Sequence, residues 1–185
     1  MHNPLEILSS DTIYKGKVFN VRLDKIREGE IEYEREIVEH RGSAVIVPLF
    51  SDVTIAMVRQ YRHATGKYLL EVPAGMLEAG EEPLEGARRE LEEEIGVIAG
   101  KIEPLAAFYI SPGFLTEKMN VFLATDLSET GQRLEDDELL TIERVPLDEA
   151  AQMATDGRIE DAKSIVAILL TQKIAFQELA TNLHK

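Results

Sequence analysis

The sequence contains no cysteine and only four histidines, at positions 2, 40, 63 and 184. Disulfide bonds and thiolate chemistry are therefore excluded. The histidines do not have the spacing of a zinc site, and no serine lies in the Gly-x-Ser-x-Gly pattern of hydrolase nucleophiles. Neither a P-loop nor a dinucleotide-binding glycine motif is present. A chain without cysteine is compatible with a reducing compartment, so we expect a cytoplasmic protein.

Positive charge is also scarce, because 20 lysines and arginines accompany 34 aspartates and glutamates, which gives a formal net charge of −14. Such a chain should not bind nucleic acid or an anionic membrane surface non-specifically. The longest apolar runs, near residues 43–50 and 165–170, are far too short to span a bilayer. If this acidic protein handles a phosphate compound, cations have to lie between the two.

The most informative stretch runs from residue 75 to residue 97 and predicts a loop followed by a helix. Pro83 suits the first turn of a helix, where its missing N–H would have no partner anyway. Gly96 has the position of a C-terminal cap. An apolar stripe of helical period lies between them and consists of Leu84, Ala87, Leu91 and Ile95. We expect this stripe to pack on a hydrophobic core.

Three glutamates, Glu90, Glu93 and Glu94, share an adjacent face of this helix at the spacings i, i+3 and i+4. Gly86, one turn before Glu90, leaves that face open to close approach. Like charges at these spacings destabilise a helix, so something positive should compensate them. A divalent cation such as Mg²⁺ would do so, because it takes oxygen ligands and commonly shares carboxylates with a phosphate. The alternative is a solvated acidic helix face without a ligand.

The same stretch resembles the signature of the Nudix hydrolases. Its fixed positions are all filled, by Gly75, Glu81, Arg89, Glu90, Leu91, Glu93, Glu94, Gly96 and Val97. The resemblance implies that Glu90, Glu93 and Glu94 bind Mg²⁺ or Mn²⁺, two or more ions, together with the backbone carbonyl of Ala74. It also implies that Arg89 holds the glutamates in place, while the site hydrolyses a nucleoside diphosphate linked to another group.

The resemblance further implies the Nudix fold, an α/β (α+β) architecture with a mixed β-sheet sandwiched between helices. Residues 44–49 form a continuous apolar run that is typical of a buried strand. Further strands are predicted at 53–61, 69–72, 102–110, 119–124 and 139–145, and helices at 147–155 and 162–181. Residues 5–41 alternate in polarity around a turn at 27–30 and predict an N-terminal antiparallel strand extension. We therefore divide the chain into this extension, 1–41, and a Nudix hydrolase domain, 42–185.

Motifs outside the signature are similar to those of the ADP-ribose pyrophosphatases within the family. They are Arg35-Glu36-Ile37, Gln60-Tyr61-Arg62, Glu71-Val72-Pro73-Ala74-Gly75, Ser111-Pro112-Gly113-Phe114 with Glu117, and Gly157-x-Ile159-x-Asp161-Ala162-Lys163. Those enzymes cleave ADP-ribose to AMP and ribose 5-phosphate, and they are homodimers whose N-terminal strands reach across the dimer. GDP-mannose pyrophosphatases share several of these motifs.

The resemblance also implies a set of substrate contacts. Arg35 and Arg62 would bind the diphosphate, for which a planar guanidinium is suited because it bonds two oxygens at once. An exposed ion pair at a strand end is the alternative for each of them. An aromatic side chain of the N-terminal region, Phe19 or Tyr14, would stack on adenine, although both could equally belong to the core. The loop that contains Gly113 is assigned to substrate binding as well.

A carboxylate is needed to orient or deprotonate the attacking water. The family places a glutamate in an acidic loop before the penultimate strand, where Glu138 matches one carboxylate position. The usual position of the base is occupied by Asp136, which is one methylene shorter. The base could therefore be Asp136, Glu135 or Glu138, or it could be Glu117, which is also a candidate substrate contact. Glu93 and Arg89 complete the catalytic set. A solvated acidic turn is the alternative.

Three functions follow in order of preference. The first is a Mg²⁺-dependent pyrophosphatase that acts on ADP-ribose. The second keeps the chemistry but changes the substrate to another nucleoside diphosphate sugar, such as GDP-mannose, or to NADH. The third is a sensor that binds ADP-ribose or a nucleotide without turnover. The three crowded carboxylates argue against a sensor, since a protein that only binds has no need of them.

Overall fold

The sequence folds into ten strands and three α-helices within the part of the chain that the computed structural model describes, residues 5–134 and 139–182, with side chains to residue 177. The strands are β1 (Leu5–Lys15), β2 (Asn20–Glu28), β3 (Ile31–Glu39), β4 (Ser43–Pro48), β5 (Thr54–Arg62), β6 (Lys67–Glu71), β7 (Ala74–Met76), β8 (Val97–Tyr109), β9 (Lys118–Glu129) and β10 (Leu140–Pro146). The helices are α1 (Pro83–Glu90), α2 (Leu147–Asp156) and α3 (Ala162–Asn182), and a π-helical turn, Leu91–Ile95, follows α1. No helix within these ranges is long and apolar enough to cross a membrane.

The chain forms two compact units, and the first consists of Met1–Gly42 with Phe108–Lys118. In this unit β1, β2 and β3 form an antiparallel sheet. The turn between β2 and β3 contains Gly29 in the left-handed region, φ 65°, at the predicted turn. The antiparallel strands of the N-terminal extension are therefore confirmed. The functional boundary at residue 41 stays a prediction.

The second unit, Ser43–Ala107 with Met119–Lys185, contains a mixed sheet. Its strand order is β7-β4-β9-β8, and β4 pairs antiparallel with β7 and parallel with β9. A separate antiparallel sheet has the order β10-β5-β6. All six residues of β4 are buried, as a continuous apolar run predicts. The mixed α+β class is therefore confirmed.

The predicted apolar stripe of the first helix packs on this core. Ala87, Leu91 and Ile95 are buried, and Leu84 is partly buried against the same cluster. Their neighbours in the cluster come from β4 and β9 and include Ala44, Ile46, Phe122 and Ala124. Each large apolar side chain buried in this way contributes about 1.5–3 kcal/mol. The packing holds α1 and the turn that follows it against β4.

The predicted helix and its end at Gly96 are confirmed, but its last turn is not α-helical. The α-helix ends at Glu90, and the backbone continues as the π-helical turn before Gly96 ends it in the left-handed conformation, φ 70°. Hydrogen bonds in a π-turn span one residue more than in an α-helix, so side chains beyond Glu90 lose the α-helical offsets. Glu93 and Glu94 both lie in this turn, and π-turns occur frequently at functional sites.

Candidate active site

The guanidinium of Arg89 is the centre of the loop and helix between residues 75 and 97. Its Nε and Nη2 atoms donate to the two oxygens of Glu81 at 3.0 and 3.1 Å. Its Nη1 atom donates to Glu90 Oε1 at 2.7 Å and to Glu93 Oε2 at 3.0 Å. A single cation thus contacts three carboxylates, and we call these four residues the Arg89 cluster.

A tight turn brings Glu81 to Arg89. The Glu81 N–H donates to the carbonyl oxygen of Glu78 at 3.2 Å, and the Glu78 N–H donates back to Glu81 Oε2 at 2.9 Å. Hydrogen bonding from Arg89 is the main cause that lowers the pKa of Glu81. The same contact with Glu81, followed by the charge of Glu90, raises the pKa of Arg89. Both groups are therefore ionised at neutral pH.

Gly75 allows the Glu90 carboxylate to take its position. A Cβ atom on residue 75 would lie 1.8 Å from Glu90 Oε1 and 2.1 Å from its Cδ. No side chain larger than that of glycine fits there while Glu90 keeps this rotamer. Glu90 is only 6% exposed, so its carboxylate has little room to move away. The signature therefore requires glycine at position 75, because any side chain there would overlap the Glu90 carboxylate.

Glu94 occupies a different position from the other two glutamates. Its Oε2 atom accepts a hydrogen bond from the backbone N–H of Ala74 at 3.1 Å, and its side chain is buried. Ala74 in turn pairs with Val45 at the edge of the mixed sheet. The backbone of Ala74 and the carboxylate of Glu94 are therefore neighbours, whereas metal binding by the Ala74 carbonyl stays a prediction.

The donor chemistry of this site suits a hard divalent cation. Glu90 Oε1 and Glu93 Oε2 approach one guanidinium nitrogen, so the two carboxylates already converge on a positive charge. Within the described ranges, no group of three histidine, aspartate or glutamate side chains is arranged to hold a metal ion by itself. Mg²⁺ does not require one, because it retains waters and binds through one or two carboxylates and a phosphate. Glu90, Glu93 and Glu94 are the residues that could hold it.

Residues 130–133 are hydrogen-bonded to the turn that contains Glu93 and Glu94 and to Gly96 after it. The Gln132 side chain donates to the carbonyl oxygen of Glu94 at 2.7 Å, and the Arg133 N–H donates to that of Glu93 at 3.0 Å. A Cβ atom on Gly96 would lie 2.4 Å from the Gln132 nitrogen. Gly96 is thus required for this contact as well as for its positive φ. Nothing in the sequence indicated the role of Gln132.

The three acidic-loop candidates for the base, Glu135, Asp136 and Glu138, lie outside the described residues. Their assignment stays a prediction.

Arg62 lies at the end of β5 and pairs with a buried carboxylate. Its Nε and Nη2 atoms donate to the two oxygens of Glu71, each at 2.8 Å. Lys163 of α3 also donates to Glu71 and pairs with Asp161 at 3.0 Å. We call Arg62, Glu71, Lys163 and Asp161 the Glu71 cluster. The family motifs contained all four residues, but nothing in the sequence paired them.

The remaining candidates for substrate binding belong to the first unit. The Arg35 guanidinium lies 4.2 Å from the centre of the Tyr33 ring and donates to the Glu34 carbonyl oxygen. Phe19 is 41% exposed and its ring centre lies 5.7 Å from that of Tyr14. Phe19 is therefore not a core residue in this unit, and its stacking on adenine stays a prediction.

Phe19 also lines an open cavity of about 410 Å³ in the first unit, together with Lys15, Lys17, His40 and Arg41. Glu117 lies near the same histidine, with 3.6 Å between its Oε1 atom and His40 Nδ1. Gly113 occupies a turn in which the Phe114 N–H donates to the Ser111 carbonyl oxygen. Substrate contacts from Gly113 and Glu117 stay predictions.

Comparison with known proteins identifies the family of the chain. The NUDIX domain model matches residues 40–167, which is more than half of the chain. The chain belongs to the NUDIX family. A relative from Bacillus subtilis (strain 168), named ADP-ribose pyrophosphatase, is 37% identical over 169 residues, which cover 89% of this chain and 91% of the relative. A second relative, from Bacillus methanolicus and named methanol dehydrogenase activator, is 36% identical over the same shares of both chains.

A solved structure described as an ADP compounds hydrolase has the same fold. It superposes with a TM-score of 0.84 at 24% identity and covers 96% of this chain and 97% of its own. At that identity the likeness establishes the fold alone.

Proposed function

We propose that the protein hydrolyses the diphosphate bond of ADP-ribose and releases AMP and ribose 5-phosphate in a reaction that depends on Mg²⁺ or Mn²⁺. The observation that carries the proposal is the convergence of Glu90 and Glu93 on one nitrogen of Arg89, with Glu94 fixed beside them on Ala74. The Bacillus subtilis relative supports the choice of ADP-ribose.

Glu90, at the end of α1, and Glu93 and Glu94 of the π-helical turn form what we call the acidic turn, and each has a role in this proposal. Glu90, Glu93 and Glu94 would hold two or more divalent ions with the carbonyl of Ala74. Arg89 keeps Glu90 and Glu93 in place. When bound, such ions neutralise phosphate charge and lower the pKa of a coordinated water. Arg89 does not leave when substrate binds, since Glu81 retains it through two further hydrogen bonds.

A carboxylate orients or deprotonates the water. The candidates are Glu135, Asp136, Glu138 and Glu117. A carboxylate base needs to reach the water at hydrogen-bond distance when substrate is bound. Substitution of each candidate by its amide, followed by a pH profile of kcat, separates the base from residues that only bind metal or substrate.

Binding of the substrate's two phosphates falls to arginines. We assign Arg62 and Arg35 to the diphosphate, Phe19 to the adenine ring, and Gly113 and Glu117 to the rest of the substrate. The planar guanidinium suits this role because it donates in pairs to phosphate oxygens. The partial exposure of Arg62, 39% of its side chain, supports its availability to a ligand.

We also propose that the protein is cytoplasmic and forms a homodimer through its N-terminal strands. The boundary between these strands and the NUDIX domain is placed near residue 41. Four large apolar side chains of β1 are more than half exposed, namely Leu5, Ile7, Ile13 and Tyr14. Exposed apolar side chains on one strand are typical of a protein interface. Light scattering at two concentrations gives the oligomeric state, and a monomer at both would contradict this assignment.

Other substrates are kept as alternatives, namely GDP-mannose, related nucleoside diphosphate sugars and NADH, as is a sensor without turnover. The Bacillus methanolicus relative has a different name at nearly equal identity, so the substrate has to be measured. A panel at equal concentrations with Mg²⁺, read by release of nucleoside monophosphate, tests the choice. ADP-ribose should be cleaved fastest, and Glu93→Gln should lower that rate by about 10²–10⁴-fold. No AMP from the wild type, or full activity in Glu93→Gln, would refute the proposal.

A further inference from the structure

Glu71 is a buried charged residue that has no part in the chemistry proposed above. It ends β6 and is 1% exposed. Burial acts to raise the pKa of its carboxyl, but hydrogen bonding from Arg62 and the charge of Lys163 outweigh burial, so the pKa lies below its ordinary value. Glu71 is therefore an ionised carboxylate with two cations bound to it.

The first turn of α3 delivers the second cation, Lys163. Asp161 caps this helix, since its Oδ2 atom accepts from the Ser164 N–H at 3.0 Å. The Ser164 hydroxyl oxygen accepts from the Val72 N–H at 2.8 Å. The beginning of α3 is thus attached directly to the residue that follows Glu71. These contacts fix the backbone from which the Lys163 side chain extends to Glu71.

The Glu71 cluster is closed at one end and open at the other. Exposed side-chain fractions are 2% for Glu71, 10% for Lys163 and 39% for Arg62. The bidentate contact uses the Nε and Nη2 edge of Arg62 and so fixes the plane of the guanidinium. The Nη1 edge is turned away from Glu71.

The open end lies next to the acidic turn. The charge of Glu94 acts on Arg62 and, after the contributions from Glu71, raises its pKa. Glu71 is three residues before Ala74, whose N–H donates to the Glu94 carboxylate at 3.1 Å. Arg62 and Glu94 are therefore linked through residues 71–74, and the charge of Glu94 acts on the guanidinium.

We propose that Glu71 and Lys163 are positioning residues, which hold the guanidinium of Arg62 in the orientation that binds the substrate's diphosphate. Neither residue touches the substrate. The inference rests on the proposed function. It adds that Arg62, held by Glu71 and Lys163, determines the affinity for the diphosphate, whereas the Arg89 cluster determines the rate of cleavage.

Lys163→Met tests the proposal most directly. Without the ammonium, Glu71 is compensated by Arg62 alone and draws the guanidinium inward. The KM for ADP-ribose should rise about tenfold, the loss of one charge-assisted contact, while kcat stays within about threefold of the wild type. Lys163→Arg, which retains the charge, should restore most of the affinity.

A matched control and a double variant separate positioning from general stability. Lys67→Met removes an exposed ion pair with Glu160, which also joins β6 to the segment before α3, and it should leave KM unchanged. Arg62→Ala should raise KM by itself. Combining it with Lys163→Met should raise KM no further, because Lys163 acts through Arg62. Additive effects, or a fall in kcat at constant KM, would overturn the proposal.

If Lys163→Met does not fold, Glu71→Gln with Lys163→Met removes both charges together and avoids an unpaired buried ion. The same rise in KM is expected for this pair. Wild-type turnover in the same assay reports on the proposed function separately. If the wild type binds ADP-ribose without cleaving it, the proposed function fails, and the variants are compared by their Kd from calorimetry, where an unchanged Kd in Lys163→Met would overturn the positioning role.

Discussion

Two arginine–carboxylate clusters lie in the second unit, and they differ in the balance of their charges. The Arg89 cluster has one cation for three carboxylates, and Glu94 adds a fourth carboxylate nearby. The Glu71 cluster has two cations for two carboxylates. Both contain a bidentate arginine, so hydrogen-bond geometry does not distinguish them. They differ in net charge, because only the Arg89 cluster has a surplus of carboxylates.

This difference indicates what each cluster needs from outside the chain. Balanced charges in a buried cluster are stable without a ligand, provided that their hydrogen bonds are made. Excess carboxylates repel one another, and a divalent cation removes the repulsion. The Arg89 cluster should therefore respond to Mg²⁺ and the Glu71 cluster should not.

The largest effect is expected for Arg89→Met, which breaks the cluster with excess negative charge. Glu81 and the buried Glu90 then lose the guanidinium that compensates them, and the free energy of unfolding should fall by about 3 kcal/mol in the absence of metal. Urea unfolding with and without Mg²⁺ measures this loss. Arg88→Met is the matched control, because Arg88 is exposed and pairs only loosely with Glu85 at 3.7 Å. Equal losses in both variants would contradict a special role for Arg89.

A smaller effect is expected for Gly75→Ala, which displaces one carboxylate of that cluster without removing a charge. The added methyl group would lie 1.8 Å from Glu90 Oε1, so Glu90 has to change rotamer. The free energy of unfolding should fall by about 1–3 kcal/mol, the usual cost of overpacking. In Gly113→Ala the added methyl meets no atom of the described residues within 4 Å, so it controls for stability. Identical unfolding curves for the two variants would disprove the steric account.

The pH dependence of stability tests the Glu71 cluster, whose charges are balanced. The pKa of Glu71 lies below its ordinary value of 4.5, because Arg62 and Lys163 outweigh the opposing effect of burial. A lowered folded-state pKa contributes stability that is present above the unfolded value and is lost as the pH falls through the folded one. Unfolding free energy should therefore decline below about pH 4.5. Glu71→Gln should be less stable at pH 7 and decline less steeply; an unchanged slope would argue against an ionised Glu71.

The smallest effect is expected for Arg133→Met, which removes an ion pair that belongs to neither cluster. Arg133 contacts Glu92 at the surface, and its side chain is 68% exposed. Exposed pairs contribute little, so the free energy of unfolding should change by less than about 0.5 kcal/mol. Urea unfolding measures the change. A loss as large as that of Arg89→Met would mean that exposure does not separate these ion pairs.

Much of the Arg89 cluster could be predicted from the sequence because it is local. Arg89, Glu90, Glu93 and Glu94 are close in the chain, so a helical pattern is enough to bring them near one another. Gly75 and Glu81 extend the same segment by one short loop. The buried strand β4 was predictable for a similar reason, since its residues 44–48 are a consecutive apolar run.

The Glu71 cluster could not be predicted, because one of its pairs joins distant parts of the chain. Glu71 and Lys163 are 92 positions apart and meet only when the first turn of α3 lies against the end of β6. The π-turn was also missed, since the apolar stripe of Leu91 and Ile95 has nearly the same period in both helix types. Element boundaries differ for a related reason: β8 begins at Val97, directly after Gly96, and not at residue 102.

Binding of Mg²⁺ to the acidic turn tests the central claim most directly. Calorimetric titration should give saturable binding to the wild type in the presence of a non-hydrolysable ADP-ribose analogue. Glu90→Gln with Glu93→Gln should weaken that binding by at least about tenfold, because each amide removes an anionic ligand. Lys163→Met should retain the metal affinity and lose only affinity for the analogue. Equal Mg²⁺ affinity in the wild type and the double glutamine variant would contradict the account.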